Sequence, residues 1–296
     1  MRMPRAVICL PIVLLSAGAA STAPARMAQT DAVIMEWNIA GLDPIPPGRL
    51  SRIVGVIRDL DPAPDVIVLS EVNPDEAAHQ IAQQLGYEAV ILQQGPEVVQ
   101  NIAILHNSRA TVSNGQLIAG TNLEEEPRSR QALTANVRIG SFDFILIGVH
   151  LKSGRSAAQR AQRTRQATAL ANFIAGAVQG QEKDVLVIGD YNMIAPTPTR
   201  RNDRANFEAM SPAGFLRFVS SEELDGHLTH ISGCDPERGN PLDGYAISSG
   251  FTTEYQEGSF RLLGLEDLGL SCSEYVVEVS DHLPLLARFR TTADDD

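Results

Sequence analysis

The chain has 296 residues, 44% of them hydrophobic and 20% charged, with a formal net charge of −12. Enough apolar residues are present for a large buried core, so a disordered chain is excluded. The acidity excludes a general polyanion-binding module, because nonspecific nucleic-acid affinity is largely electrostatic. It leaves room for an enzyme that reaches phosphate esters through a bound cation and a few arginines.

Arg2 and Arg5 precede an apolar run from Ala6 to about Ala20, followed by Ser21, Thr22, Ala23 and Ala25. That order of charge, apolar run and small residues predicts a secretory signal peptide over residues 1–25. The run is short for a membrane span, and no other stretch is long and apolar enough for one. The expectation is a secreted or periplasmic protein with no stable membrane insertion. Residues 30–291 then form one domain, and 292–296 an acidic tail. Cys9 leaves with the signal, so Cys234 and Cys272 remain; two cysteines in an exported protein predict a bridge. Such a bridge stabilises by roughly 3–4 kcal/mol in the chain-entropy view.

Along the chain, Val33 to Asn38 reads as a strand ending in a polar residue, followed by a Pro/Gly-rich loop. Leu50, Ile53, Val54 and Ile57 recur at helical spacing. Asp65-Val-Ile-Val-Leu-Ser-Glu71-Val-Asn73 is a short, β-branched, unalternating run, the pattern of a strand buried on both faces. A strand from Asn101 to His106 follows, then Phe144 to His150, then a helix over 156–178 with Leu170, Phe173 and Ile174 on one side. Asp184-Val-Leu-Val-Ile-Gly-Asp190-Tyr-Asn192 repeats the Asp65–Asn73 pattern at a constant offset. Strands from Leu242 to Ser248 and Leu283 to Arg290 close the chain. Both halves therefore read strand–helix–strand followed by more strands, an α/β class with mixed sheets. Asn38, Glu71, His150 and Asp190 all fall at strand C-termini, where clefts in such folds lie.

Leu242-Asp243-Gly244-Tyr245 and Ser280-Asp281-His282 add further polar groups. A hard cation such as Mg²⁺ takes carboxylate and amide oxygens, which suits Glu71, Asp281 and Asn38 or Asn192. A histidine beside an aspartate works as acid or base near neutral pH, and His150 and His282 could flank one phosphorus. Taken singly, Asn38 is a turn residue, Asp190 with Asn192 an Asx-turn, and His150 a structural histidine; together they make coincidence a poor explanation. Lys152, Arg155, Arg160, Arg163 and Arg165 form a run without acids. Lys152 and Arg155 sit at a strand-to-helix turn that favours anions, whereas Arg160 and Arg165 read as a solvated helix face. Arg200, Arg201 and Arg204 follow in a rim-like loop.

The order Trp37-Asn38, Glu71, His150-Leu-Lys-Ser-Gly154, Gly189-Asp190-Tyr-Asn192, Asp243 and Ser280-Asp281-His282 resembles the endonuclease/exonuclease/phosphatase superfamily, which includes DNase I, exonuclease III and the neutral sphingomyelinases. The resemblance spans nearly the whole mature chain. It implies a four-layer sandwich, two mixed β-sheets packed face to face with helices outside. It implies Glu71 as a metal ligand with Asn38 and Asp281 close by. Asp190 and Asn192 would orient water and phosphate, Asp243 would fix the ring of His282, and His150 would protonate or stabilise the leaving oxygen. Whether Asp190 or His282 is the base stays open. Arg130 stands where relatives place a phosphate-contacting arginine.

Two departures stand out. Ala40 replaces an acidic residue that some relatives carry near the metal, and Arg155 replaces a cysteine common in exported bacterial members. No carboxylate partner for His150 is evident. The leading expectation is an exported Mg²⁺-dependent phosphodiesterase, with Mn²⁺ or Ca²⁺ as substitutes, foremost an endonuclease on DNA or RNA, with no protein partner. The alternatives are a sphingomyelinase-type phospholipase C or a phosphomonoesterase of the same chemistry, and a catalytically silent binding protein.

Overall fold

The computed structural model describes residues 31–41, 48–92, 94, 98, 100–126, 128–180, 182–194, 203–224, 227–235 and 239–292. The expected signal peptide, most of the acidic tail, and Arg200 and Arg201 lie outside these. The elements in chain order are β1 (Asp31–Asn38), α1 (Arg49–Arg58), β2 (Val66–Val72), α2 (Asp75–Leu85), β3 (Glu88–Ile91), β4 (Asn101–His106), β5 (Ala110–Leu117), β6 (Leu133–Ile139) and β7 (Phe142–His150). Then come α3 (Ala157–Ala177), β8 (Val185–Asp190), α4 (Arg204–Met210), β9 (Leu216–Phe218), α5 (Val219–Glu223), β10 (Asp243–Ser248), β11 (Arg261–Leu262), α6 (Leu265–Leu268), α7 (Cys272–Glu278) and β12 (Leu285–Arg290).

Among the described residues the strands form two six-stranded sheets, ordered β11-β12-β1-β2-β4-β3 and β5-β6-β7-β8-β10-β9. Each is mixed: β1 runs parallel to β2 and β7 to β8, and each parallel pair is joined by a helix, as a crossover requires. The other pairings are antiparallel. The sheets pack face to face over Ile34, Val68, Ile104, Leu146, Ile188 and Tyr245, with Phe142 stacked between Phe144 and Phe289. The outer faces are covered separately. Ile53, Val54 and Ile57 of α1 lie on Met35, Trp37, Ile67 and Leu69, whereas Leu170 and Ile174 of α3 lie on Val187 and Val149. The unalternating runs seen in sequence are thus strands buried on both faces, in a four-layer sandwich with helices outside.

The helix expected over 156–178 is α3. Ser156 caps it by accepting from the Gln159 amide, and the Gln159 side chain accepts from the Ser156 amide in return. The duplicated leading aspartates sit at the strand ends remote from His150 and Asp190. Asp65 there accepts from Val33 N (2.9 Å) and pairs with Arg109 (2.8 Å). Cys234 and Cys272 are bridged, with Cα atoms 5.7 Å apart. No helix among the described residues is long and apolar enough to cross a membrane.

One inward-facing position breaks the apolar pattern. Glu36 of β1 is fully buried, and neither carboxyl oxygen has a hydrogen-bond partner among the described residues. Burial, reinforced by Asp243 and Asp190, raises its pKa well above the ordinary glutamate range, so the folded protein holds it neutral. A raised folded-state pKa favours folding fully only below the unfolded value, and that contribution is lost as pH rises toward the folded one. Glu36→Gln should therefore raise unfolding free energy more at about pH 8 than at about pH 4. Urea denaturation at both values checks this; an equal effect at the two would show that Glu36 is not held neutral.

Candidate active site

The site is a row across the second sheet. His150 at the end of β7 stands beside Asp190 at the end of β8, and Asp190 beside Asp243 at the start of β10. Residues in one row point to the same side of a sheet. Here that side is inward, since Leu146, Ile188 and Tyr245, in step with them along each strand, belong to the inter-sheet core. Asn38 arrives from the opposite sheet. Its Nδ2 donates to Asp190 Oδ2 and to Glu71 Oε1, both at 3.1 Å, while its Oδ1 accepts from Ala40 N at 2.9 Å.

Glu71 reaches the same point by a different device. The alternation of β2 would turn it outward with Ile67 and Leu69, but the register between β2 and β4 shifts between Leu69 and Val72, and Glu71 has φ +56°. The extra residue re-aims the carboxylate into the cleft, a use of bulges common beside active sites. Gln100 then holds its Oε2 with a 2.7 Å hydrogen bond, while Gln100 Oε1 accepts from Arg130. Glu71 and Asp190, equivalent in the repeated sequence, are therefore delivered by a bulge and by plain strand register. Asn192, at φ +51°, closes an Asx-turn: its backbone N donates to Asp190 Oδ1 at 2.8 Å and its Nδ2 to Leu151 O.

His282 is pinned from all sides. Its carbonyl accepts from Trp37 Nε1 (2.9 Å) and Tyr275 OH (2.7 Å). Ser280 Oγ accepts from His282 N and donates to the Asn38 carbonyl. The ring Nδ1 lies 2.8 and 3.0 Å from the two oxygens of Asp243, the pairing expected from the resemblance. Burial would favour a neutral ring, but Asp243, Asp190 and Asp281 outweigh it and push the pKa up to about 10. Asp190 moves the other way from a normal carboxylate. Burial first, then the charge of Asp243, raise it to about 7, against the pull of His282 and the Asn192 amide. His150 has the carboxylate neighbours that the sequence did not disclose: Nε2 is 3.6 Å from Glu71 and 3.5 Å from Asp190. Burial, with Arg130 and His282, nonetheless lowers its pKa well below 6.5, so the ring is neutral.

The substrate-binding candidates separate. Arg130 donates to the His150 and Leu151 carbonyls and to Gln100, and it lines a cavity of about 370 Å³ with Arg128, Ser129, His150, Lys152 and Ser153. Lys152 also pairs with Glu126 at 2.8 Å. Arg155 is exposed and does not line this cavity. Arg163, one of the basic run, is instead buried, ion-paired to Asp203 at 2.9 Å and donating to the Lys152 and Gly154 carbonyls. Asp281 lies beside His230 (3.5 Å) and is not in the trio of Glu71, His150 and Asp190. Sequence reasoning missed Gln100, His230 and Arg49, whose guanidinium donates to Ile39, Gly41 and Val279 carbonyls near both Glu71 and Asp281. None of the three stands in a repeat or a periodic pattern that would mark it.

The oxygen donors of Glu71 and Asp190, converging with Asn38 beside a ring nitrogen, fit a divalent cation by donor chemistry. The chain matches the Endonuclease/Exonuclease/phosphatase family over residues 35–282. It belongs to that family. It is accordingly a metal-dependent hydrolase of phosphoester bonds, and the silent binding protein is set aside. No curated protein matches the chain in sequence. Among solved structures it is similar to TDP2 from D. rerio complexed with a single-strand DNA product, with 20% identity, 89% of this chain and 100% of that chain covered, and TM-score 0.65. It is similar to the 3′ phosphatase NExo from Neisseria bound to a product DNA hairpin, with 20% identity, coverage of 87% and 99%, and TM-score 0.62. The human Nocturnin catalytic domain with bound sulfate matches at 18% identity, coverage of 88% and 93%, and TM-score 0.60. These likenesses carry the fold.

Because both oxygens of Asp243 hold the ring of His282, the two should behave largely as one unit. His282→Ala should cost on the order of 10²–10³-fold in kcat/KM, as loss of a group that stabilises developing charge does. Asp243→Asn should reproduce most of that loss, and the double variant should be little worse. A double-mutant cycle with circular dichroism on each variant tests this; additive losses would refute the pairing.

Proposed function

We propose that the chain is an exported, Mg²⁺-dependent phosphodiesterase that cleaves nucleic acid. The observation that carries this reading is the convergence of Glu71, Asn38, His150, Asp190, Asp243 and His282 at one mouth, beside a cavity that presents Arg128, Arg130 and Lys152. The neighbours described with DNA product, TDP2 and NExo, support nucleic acid as the substrate class. The cavity's Arg128 and Arg130, with Lys152 held by Glu126, offer phosphate contacts in a chain of net charge −12. Export is supported by the signal-like N-terminus and by the Cys234–Cys272 bridge, since disulfides persist in oxidising compartments.

Glu71 would hold the cation, with Asn38 Nδ2 orienting its carboxylate, and the cation would neutralise charge building on the phosphate oxygens. Asp190, with a pKa of about 7, takes the proton of the attacking water, its orientation fixed by Asn38 and Asn192. His282 is the protonated partner: Asp243 holds Nδ1, which leaves Nε2–H to donate to a phosphate oxygen of the substrate. His150, held neutral, donates a hydrogen bond to the leaving oxygen rather than a full cationic proton. This assignment makes Asp190 the base and His282 the charge stabiliser.

The signs follow from those groups. Activity should rise with pH as Asp190 loses its proton, below the metal-free value of about 7 once a cation sits beside it, and fall as His282 loses its own near 10. A kcat/KM profile at saturating Mg²⁺ measures both limbs, and Asp243→Asn should move the alkaline limb down. A profile lacking the acidic limb would remove Asp190 as the base. Glu71→Gln keeps shape and should weaken metal dependence; unchanged activity at every Mg²⁺ concentration would show that Glu71 holds no cation. Release of acid-soluble product from plasmid DNA, RNA, sphingomyelin and a chromogenic phosphodiester, each with Mg²⁺ and with EDTA, decides the substrate. Cleavage of sphingomyelin alone would favour the phospholipase reading, and hydrolysis of monoesters alone the phosphatase one.

A further inference from the structure

His230 lies opposite His282 across a short antiparallel bridge. The backbone pairing is tight on both flanks: Ile231 N donates to Asp281 O at 2.8 Å, and Leu283 N to Thr229 O at 2.7 Å. Directly opposed residues on one face are brought into contact, and the two imidazole centroids are 4.7 Å apart with a 56° tilt. Asp281 Oδ2 sits 3.5 Å from His230 Nε2, and one donor atom from each of His230, Asp281 and His282 falls within 4.8 Å of the others. The Cys234–Cys272 bridge staples the same corner, joining the turn after His230 to the helix that leads into Asp281.

We propose that His230, Asp281 and His282 form a second metal site, for a divalent transition ion such as Zn²⁺ or Co²⁺, distinct from the oxygen-rich site at Glu71. The donor set decides the class of ion. Two imidazoles and one carboxylate suit borderline ions, whereas carboxylate and amide oxygens suit Mg²⁺. The 3.5 Å separation of His230 and Asp281 donors matches the ~3.4 Å edge of a tetrahedron with metal–ligand bonds of ~2.1 Å. His282 is already oriented as a metal-bound histidine is. A carboxylate, Asp243, holds its Nδ1 from behind, leaving Nε2 for an ion. His230 Nδ1 has no hydrogen-bond partner among the described residues, so no protein contact opposes a small adjustment of that ring. The side chain of Asp281 is 37% exposed, which gives an ion a way in and the carboxylate room to turn.

Binding here displaces the Nε2 proton of His282 to solvent, as metal binding to imidazole requires. The ion then occupies the nitrogen that the proposed hydrolysis uses to contact phosphate. Transition ions at this site should therefore inhibit hydrolysis that Mg²⁺ supports, by competing for His282 rather than for Glu71. The metal-binding part of the proposal does not depend on hydrolysis, so it can be tested whatever the substrate proves to be.

The experiment is titration of the EDTA-stripped, then dialysed, full chain with Co²⁺ alone, followed by its visible absorption and by calorimetry. It is run on the native protein and on His230→Gln, Asp281→Asn and Glu71→Gln, with circular dichroism to confirm folding. The native protein and Glu71→Gln should bind with imidazole-ligated Co²⁺ bands. His230→Gln and Asp281→Asn should bind at least ~10-fold more weakly, since even outer contacts to a metal site are worth that much. Zn²⁺ inhibition at constant Mg²⁺, expressed relative to each variant's own activity, should weaken in parallel in His230→Gln. Absence of Co²⁺ binding by the native chain, or binding that survives in both His230→Gln and Asp281→Asn but fails in Glu71→Gln, would overturn the proposal. The two variants at different positions guard against a single misfolded one deciding the result.

Discussion

The register between β7, β8 and β10 governs the rest of the site. His150, Asp190 and Asp243 occupy one row across three adjacent strands, so their spacing is set by backbone hydrogen bonds rather than by loop geometry. A slip of one residue in either pairing would turn a side chain from the inter-sheet mouth to the helix-covered face. Small residues make this row compatible with close packing. A Cβ on Gly244 would come within 2.0 Å of the Tyr191 ring, and one on Gly189 within 2.0 Å of the Val149 carbonyl, so neither strand can carry a larger residue next to its aspartate in the row.

That row places like charges side by side in a buried setting, which is costly unless protons, cations or hydrogen bonds compensate. The protein uses several of these at once. Asp243 is matched by His282, Asp190 is shifted toward neutrality, and Glu36 behind them is held uncharged. Glu71 is shared among Asn38, Gln100 and the neighbourhood of His150. Arg130 and Arg49 frame the mouth but spend their donors largely on backbone carbonyls, so their contribution is to hold strand ends and to supply positive potential. A bound cation would complete a balance that side chains alone leave short of positive charge.

Much of this was legible in sequence because it rests on periodicity and on strand ends. The unalternating runs of β2 and β8 announced strands covered on both faces, and the helical spacing of Leu170 and Ile174 announced α3. Asn38, Glu71, His150, Asp190, Asp243 and His282 were each visible as polar residues closing or opening such runs. What escaped depends on contacts between distant segments. Glu36 reads in sequence as an ordinary polar interruption, and only the second sheet buries it. His230 is one residue in a loop until β-bridge pairing sets it against His282. The repeat also overstated symmetry, since it aligned Glu71 with Asp190 without disclosing that a bulge delivers one and a plain rung the other. Arg163 was one member of a run of basic residues in sequence, and its partner Asp203, far along the chain, takes it into the interior.

The left-handed backbone at Glu71 sets chemistry against robustness. A side chain other than glycine in that conformation costs on the order of 1 kcal/mol. Glycine at this position would relax the turn and keep the bulge, but it would erase the carboxylate. Any search for hardier versions of this protein that selects on folding alone will thus be drawn toward sequences without this carboxylate. Conversely, persistence of Glu71 through such a search would itself reveal selection for its carboxylate, because the main chain there has every reason to discard it.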